Sequence, residues 1–334
     1  KLYYNSIIHL VGGNDMKMVI LDAYTSNPGD LSWENFKKLG ELCVYDRTSH
    51  DEILERCKDA DIILDNKVVL DDEIISQLPK LKYIGILATG YNIVDIESAK
   101  RHGVTVCNVP TYSTSAVAQL TFALILEFYN RVAVHDKAVH DGEWASCKDF
   151  CFQKTPLIEL AGKTIGIVGF GKIGNEVAKI ADAFGMNILC NVHRVKPQPE
   201  YKNFKFVSLD ELAKMSDIIS FHCPLTDETK GIVNYDFISK MKSNAIIINT
   251  ARGPIIDEAA LADALNSGKI AGAAVDVLSC EPPKADNPLL SCKNCIITPH
   301  IAWAGYETRV RLLDVVYSNL KAFLDGSPVN VVNK

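Results

Sequence analysis

The chain has 334 residues, of which 48% are hydrophobic and 23% are charged, and its formal net charge is −6. This length favours two domains, each large enough to bury its own core. The acidic balance argues against a nucleic-acid surface, no apolar run approaches the roughly 18 residues of a membrane span, and residues 1–13 lack the apolar core and cleavage site of a signal peptide.

Ten cysteines are scattered along the chain, and several, such as Cys43, Cys107 and Cys190, fall within apolar strand patterns. This distribution is typical of buried thiols in a reducing compartment, so we expect a cytoplasmic protein. Cys292 and Cys295 form a Cys-x-x-Cys pair. Because no thioredoxin-like context or second ligand pair accompanies it, we predict neither a redox nor a metal site.

Short apolar runs alternate with helical patterns along almost the whole chain, which is typical of parallel sheets with crossover helices. Met16 or Met18 directly precedes the first clean strand, so residues 1–15 are predicted to be an extension. The strands predicted in the first third are 18–23, 41–45, 61–64, 83–87 and 104–109, and the helices between them are 51–58, 71–78 and 95–102.

A polar stretch over residues 110–115 precedes a long predicted helix over residues 116–139. Residues 140–156 carry turn residues and aromatics and are predicted to leave the core. A second series of strands is predicted at 164–168, 188–192, 218–222, 245–249, 273–277 and 296–298, with a last helix at about 307–324.

The most informative segment runs Gly169-Phe170-Gly171-Lys172-Ile173-Gly174, between the predicted strand 164–168 and a predicted helix over 172–184. In this position the first glycine makes a tight turn and the second lets the backbone approach a pyrophosphate. The third lets the helix pack close to the strand, and the helix N-terminus faces the anion. We therefore predict a dinucleotide-phosphate site.

Reactive side chains follow the last three predicted strands, where ligands of open α/β sheets bind. Arg252 follows strand 245–249. Glu281 lies beyond a turn, four residues after strand 273–277, and His300 follows strand 296–298. A guanidinium can grip a carboxylate through two parallel hydrogen bonds. An imidazole can protonate a carbonyl oxygen, and a neighbouring carboxylate orients the ring. These groups suit reduction of a 2-keto acid; the alternative is three unconnected structural residues.

Four segments together resemble the D-isomer-specific 2-hydroxyacid dehydrogenases over about residues 18–334: residues 169–174, 249–257, 276–282 and 298–302. The resemblance implies an α/β fold of two domains, a Rossmann-type doubly wound parallel sheet for the cofactor and a flavodoxin-like α/β substrate domain. It places the substrate-binding (catalytic) domain at 16–113 and 305–334, the dinucleotide-binding domain at 114–304, and a dimerisation arm, which includes Trp144, near 135–156.

The resemblance also implies roles for individual residues. Arg252 would bind substrate, His300 would act as acid and base with Glu281 as its partner, and Asp276 would contact the nicotinamide carboxamide. The backbone N–H groups of Thr89 and Gly90 would bind the substrate carboxylate. The other residues expected to contact the cofactor, besides Arg252 and His300, are Gly169, Phe170, Gly171, Lys172, Ile173, Gly174, His193, Arg194, Cys223, Pro224, Thr250 and Ala251. The expected cofactor is NAD(P)H, and the expected partners are a small 2-keto or 2-hydroxy acid and a second copy of the chain.

Two positions depart from the family pattern. Val192 stands where an acidic residue usually binds the adenosine ribose, and His193, Arg194 and Lys196 follow it. A carboxylate would repel a 2′-phosphate whereas an arginine attracts it, so we favour NADP(H) over NAD(H), although an arginine here can also stack on adenine. Gln119 stands where the family more often has Glu, and we expect a structural role for it.

The segment 299–304, followed by Glu307 and Arg309, is most similar to the glycerate dehydrogenase/hydroxypyruvate reductase branch. Trp303 either shapes the substrate pocket or packs at a helix start. Glu281 argues against formate dehydrogenase, which carries Gln there. The expected reaction is hydride transfer to C2 of hydroxypyruvate or glyoxylate. The alternatives are an NAD(H)-sensing, corepressor-like binding protein and a dehydrogenase for another 2-keto acid, such as a phosphoglycerate or branched-chain type.

Overall fold

The computed structural model describes residues 16–194 and 196–334, so the predicted extension over residues 1–15 lies outside the described residues. The described residues divide into two compact units. One contains the described residues up to Ser113 together with Ala304–Lys334, and the other contains Thr114–Trp303. Each unit has its own sheet, so the chain leaves the first sheet, builds the second, and returns.

The first unit is built on five parallel strands in the order β2-β1-β3-β4-β5, which is the flavodoxin-like order. The strands are β1 (Lys17–Ile20), β2 (Glu41–Val44), β3 (Ile62–Asp65), β4 (Tyr83–Ile86) and β5 (Thr105–Cys107). The helices among them are α1 (Ala23–Ser26), α2 (Glu34–Lys37), α3 (Ile53–Cys57), α4 (Asp72–Ile75) and α5 (Ile96–Arg101). β3 and β4 are buried along their whole length, as expected of central parallel strands.

The C-terminal helix, α12 (Tyr306–Leu324), belongs to this first unit. The ring centroids of Phe323 and Tyr83, on β4, are 4.8 Å apart. The buried Arg309 donates to both carboxylate oxygens of Asp30, at 2.7 and 2.6 Å. The first unit is therefore closed by residues more than 200 positions apart in the sequence.

The second unit is built on seven parallel strands in the order β12-β11-β10-β9-β6-β7-β8. The strands are β6 (Thr164–Val168), β7 (Asn187–Asn191), β8 (Phe204–Phe206), β9 (Ile218–Phe221), β10 (Ile246–Asn249), β11 (Gly272–Val275) and β12 (Cys295–Ile297). Read from β8, the first six strands have the Rossmann order 3-2-1-4-5-6. The strand order reverses between β6 and β9, which is the switch point of the sheet. The predicted fold class is confirmed.

The helices of the second unit cover both faces of this sheet. They are α6 (Thr114–Asn130), α7 (Val132–His140), α8 (Lys172–Ala183), α9 (Leu209–Met215), α10 (Tyr235–Lys240) and α11 (Glu258–Asn266). The hydrophobic clusters on the two sides include Ile247 and Val275 on one side and Ile246 and Ala274 on the other, so successive residues of one strand face opposite layers.

The single helix predicted over residues 116–139 is wrong. Arg131 adopts a left-handed conformation (φ 47°), which ends α6 and starts α7 at an angle of 54°. No glycine or proline marks this break, so the apolar pattern reads as continuous. No single helix in the described part of the chain is long and apolar enough to cross a membrane; only this bent pair, taken together, meets the length and composition.

Candidate active site

The glycine turn follows β6 at the switch point of the seven-stranded sheet. Gly169 has φ +97°, and a Cβ there would lie 2.7 Å from the Cys223 amide nitrogen. A Cβ on Gly174 would lie 2.1 Å from the Gly169 carbonyl oxygen, so neither position has room for a side chain. A Cβ on Gly171 would instead point into open space.

That open space lies at the N-terminus of α8, which has no side-chain cap at Gly171. The first N–H groups of a helix have no intrahelical acceptor and carry partial positive charge. The turn therefore fits the pyrophosphate of a dinucleotide, with Gly171 as the point of backbone approach.

The segment after β7 carries the basic side chains. His193 lies 3.4 Å from a Glu228 carboxylate oxygen, and both side chains are exposed. Arg194 is exposed as well. Lys196 donates to the Phe170 carbonyl oxygen at 2.5 Å, which ties this segment directly to the glycine turn.

After β9, His222 and Cys223 lie beside Gly169. Burial lowers the pKa of His222 to about 3, so its ring is neutral, and its Nε2 lies 2.8 Å from the Ser220 hydroxyl. Burial also raises the pKa of the Cys223 thiol. The carbonyl oxygen of Pro224 accepts from the Thr229 hydroxyl at 2.7 Å. This wall of the turn is therefore uncharged.

The turn after β10 is held by Asn249, which is fully buried. Its side-chain NH₂ donates to the Arg252 carbonyl at 2.9 Å, and its side-chain oxygen accepts from the Ala251 amide at 3.0 Å. The Thr250 hydroxyl lies 3.1 Å from that of Thr121. The exposed Arg252 guanidinium donates to the Ala251 carbonyl at 2.6 Å. Asn249 begins the segment 249–257 and was given no predicted role; an amide side chain at the last position of a buried strand is the signal that could have shown it.

Asp276 follows β11 and holds the loop that carries His300. One of its carboxylate oxygens accepts from the Thr298 hydroxyl at 2.5 Å and the Ile301 amide at 2.8 Å, and the other accepts from the Ala302 amide at 2.8 Å. Its carbonyl oxygen accepts the His300 amide at 2.8 Å, and His300 has φ 55°. This loop contact was not anticipated for Asp276; its contact with the carboxamide stays a prediction.

His300 and Glu281 are in direct contact. His300 Nδ1 lies 2.6 Å from one carboxylate oxygen of Glu281, and the other oxygen accepts the Leu278 amide at 3.0 Å. Both side chains are about one-third exposed, at 34% and 36%. Because Glu281 engages Nδ1, Nε2 is the ring nitrogen oriented for proton exchange. The two residues predicted to act as a pair are brought together.

Thr89 and Gly90 lie in the first unit, shortly after β4. The Thr89 hydroxyl donates to the Val109 carbonyl at 2.8 Å, and the Thr89 carbonyl accepts from the Asn108 side chain at 2.7 Å. These contacts fix the backbone of the loop, which is a requirement for N–H groups that bind an anion.

Cys292 and Cys295 favour the thiol form. Burial raises the pKa of Cys295 to about 12 and also raises that of Cys292, so both are thiols at neutral pH. Within residues 16–194 and 196–334, no group of three or more His, Cys, Asp or Glu side chains could hold a metal ion.

Comparison with known proteins identifies the family. A family model described as D-isomer specific 2-hydroxyacid dehydrogenase, NAD binding domain, matches residues 122–302. The hydroxypyruvate reductase of Blautia hydrogenotrophica is 52% identical over 96% of this chain and 100% of its own length. The glycerate dehydrogenase of Methylorubrum extorquens is 39% identical over 95% of this chain and 98% of its own. The chain belongs to the D-isomer specific 2-hydroxyacid dehydrogenases.

Solved structures agree with this membership. An acyclic imino acid reductase in complex with NADPH and D-Arg has a TM-score of 0.80 at 32% identity, over 95% of this chain and 100% of the other. A D-lactate dehydrogenase from Aquifex aeolicus with NAD and lactic acid has a TM-score of 0.80 at 32% identity, over 95% and 99%. The family resemblance predicted from the four segments is confirmed, and this dehydrogenase uses a nicotinamide cofactor.

Proposed function

We propose that this dehydrogenase transfers hydride between NAD(P)H and C2 of hydroxypyruvate or glyoxylate, which yields D-glycerate or glycolate. The observation that carries the proposal is the contact of 2.6 Å between His300 and Glu281, in the unit that also contains the glycine turn. The substrate class is supported by the relatives named hydroxypyruvate reductase and glycerate dehydrogenase.

In this mechanism the nicotinamide dinucleotide supplies the hydride, and the residues of the chain bind, orient and protonate. Arg252 binds the substrate carboxylate through two parallel hydrogen bonds, which explains why lysine would not replace it. For the first unit, we propose that the backbone N–H groups of Thr89 and Gly90 bind a carboxylate anion. His300 Nε2 donates the proton that turns the forming alkoxide into the hydroxyl, while Glu281 holds Nδ1 and stabilises the charged ring.

Residues of the second unit would hold the cofactor. The turn 169–174 and the first N–H groups of α8 fit the pyrophosphate, since Gly171 faces open space. The uncharged wall of His222, Cys223 and Pro224 suits the adenosine. Asp276 would complete the nicotinamide end together with Ala251, whose amide the Asn249 side chain holds, and Thr250, whose hydroxyl lies beside that of Thr121.

A panel of 2-keto acids tests the proposal. Hydroxypyruvate, glyoxylate, pyruvate and a branched-chain 2-keto acid are assayed with NADPH and with NADH, by the loss of absorbance of the reduced cofactor. We expect the highest kcat/KM for hydroxypyruvate, with glyoxylate next. Tight dinucleotide binding with negligible turnover of every acid would instead support the corepressor-like binding protein.

We propose NADP(H) as the preferred cofactor, supported by Arg194 and by Lys196, whose ammonium lies at the glycine turn. We expect Arg194→Asp to lower the ratio of kcat/KM for NADPH to that for NADH by about tenfold or more, because a hydrogen bond to a charged group contributes about 1.5–3 kcal/mol. The same charge change at the exposed Lys205, on β8, is the matched control. An unchanged ratio in Arg194→Asp refutes its role.

We also propose that the protein is a homodimer formed through residues 135–156. Two aromatic side chains of this segment are exposed, Trp144 by 52% and Phe150 by 89%. The indole N–H of Trp144 donates to the Phe150 carbonyl oxygen at 3.0 Å, so the two residues are neighbours. Neighbouring exposed aromatic side chains favour an interface. Light scattering of the full chain measures the mass, and a monomer would contradict the proposal.

A further inference from the structure

Glu258, the first residue of α11, holds both ends of the loop that carries Glu281. One oxygen of its carboxylate accepts the Ser279 amide at 2.7 Å. The other accepts the Ser279 hydroxyl at 2.8 Å and the Asn287 side-chain NH₂ at 2.9 Å. Asn287 is itself fixed, because its side-chain oxygen accepts the Leu289 amide at 3.0 Å. A single half-buried carboxylate therefore ties residue 279 to residue 287.

The anchored residue is adjacent to the group that orients Glu281. Leu278, which precedes Ser279, donates its amide to one Glu281 oxygen at 3.0 Å, and the other Glu281 oxygen contacts His300 at 2.6 Å. A displacement of Ser279 would therefore move the Leu278 amide and, through it, the carboxylate that holds His300.

The opposite side of this loop is packed against the turn that carries Arg252. A Cβ on Gly253 would lie 1.9 Å from the Leu278 carbonyl carbon and 2.4 Å from the Ser279 amide nitrogen. The two backbones are thus in direct contact, and the loop has no room to move toward Arg252. Glu258 supplies the hydrogen bonds that keep it seated there.

We propose that Glu258 is a positioning residue for the Glu281–His300 pair. The inference rests on the proposed function, since it assigns a role only if that pair performs the proton transfer. Glu258 acts through Ser279 and Leu278. Without its carboxylate, the Ser279 amide and the Asn287 NH₂ lose their acceptor, the loop loosens, and Glu281 no longer holds His300 Nδ1 in one orientation.

The expected effect is on turnover and not on binding. A misplacement of about 1 Å near the reacting groups can cost about a hundredfold in rate, so we expect Glu258→Ala to lower kcat by about tenfold to a hundredfold. The KM for hydroxypyruvate and the Kd for the dinucleotide should stay within about twofold, because Arg252 and the glycine turn are retained.

A double-mutant cycle in the full chain tests this role, with kcat measured for Glu258→Ala, Glu281→Ala and the double variant. If Glu258 acts through Glu281, the double variant has the kcat of Glu281→Ala. Glu258→Gln keeps an acceptor for the Ser279 amide and should restore most of the lost kcat. Asp263→Ala is the matched control, because Asp263 lies on the same helix and accepts from Tyr235, away from the loop.

Three results would overturn the proposal: an unchanged kcat in Glu258→Ala, an equal loss in the wild-type and Glu281→Ala backgrounds, or a loss confined to KM. Normal turnover in Glu281→Ala would instead remove the proposed function of the pair. If Glu258→Ala does not fold, Ser279→Ala removes only the hydroxyl contact, and the same cycle is run with it. We expect a loss of a few-fold that disappears in the Glu281→Ala background, and an equal loss in both backgrounds overturns the role.

Discussion

At the scale of single residues, the neighbouring buried carboxylates Asp65 and Asp22 differ in the hydrogen bonds that they accept. Asp65, at the end of β3, is fully buried, and one of its oxygens accepts the Val68 amide at 3.0 Å. Asp22 accepts the amides of Asn66 and Lys67 at 2.8 and 2.7 Å. Burial, and then the neighbouring charge of Asp22, raises the pKa of Asp65 well above its usual range. Burial raises the pKa of Asp22 as well, although its hydrogen bonds from the Asn66 and Lys67 amides lower it.

This pair predicts a pH dependence of stability. A carboxyl whose pKa is higher in the folded than in the unfolded state lowers the free energy of unfolding as pH rises from the unfolded value toward the folded one. An asparagine at position 65 has no carboxyl group to titrate, so it does not contribute this pH dependence. We expect Asp65→Asn to raise Tm relative to the wild type by more at about pH 7.5 than at about pH 4.5, as measured by thermal unfolding at constant ionic strength. An equal Tm difference at both pH values would contradict the assignment.

How much of the site could be predicted differs from residue to residue. Arg252, Glu281 and His300 were predicted because each follows a parallel strand and carries a group with obvious chemistry. The structure places Glu281 and His300 in contact, while the role of Arg252 stays a prediction. Glu258 and Gly253 could not be found in this way. Their importance depends on which loop packs against α11 and against the turn after β10, and single-sequence patterns do not contain that information.

At the scale of elements, the buried strands were predictable because parallel strands read as continuous apolar runs. β8 was missed, since its three residues, Phe-Lys-Phe, are too short a pattern. The break between α6 and α7 was missed because Arg131, and not glycine or proline, adopts the left-handed conformation. Element type was thus set by local pattern, while short elements and breaks depended on tertiary packing.

The glycine turn gives a prediction that separates binding from folding. Gly171 has open space beside its Cα and an ordinary φ of −82°, so we expect Gly171→Ala to fold with a Tm near that of the wild type. Its methyl group would occupy the pyrophosphate position, and the Kd for the dinucleotide should rise by about tenfold or more.

Gly174→Ala is the matched comparison. Its Cβ would clash with the Gly169 carbonyl oxygen at 2.1 Å, so both Tm and dinucleotide affinity should fall. Calorimetric titration and thermal unfolding of the two variants measure both quantities. Unchanged affinity in Gly171→Ala would show that the pyrophosphate does not bind at this turn.

At the scale of the whole molecule, two parallel sheets are built by one chain that leaves the first unit at Ser113 and rejoins it at Ala304. The second unit contains the glycine turn, Arg252, Glu281 and His300, and the first contains Thr89 and Gly90. We therefore propose that the second unit performs dinucleotide binding and proton transfer and that the first unit carries an anion-binding loop.

We propose above all that His300 transfers the proton while the glycine turn holds the cofactor. The most direct test is the kcat of His300→Ala with hydroxypyruvate, measured beside its Kd for the dinucleotide. General acid catalysis contributes about 10²- to 10⁴-fold, so we predict that kcat falls by about that factor while the Kd stays within about twofold. Near-normal turnover in His300→Ala would contradict this role of His300.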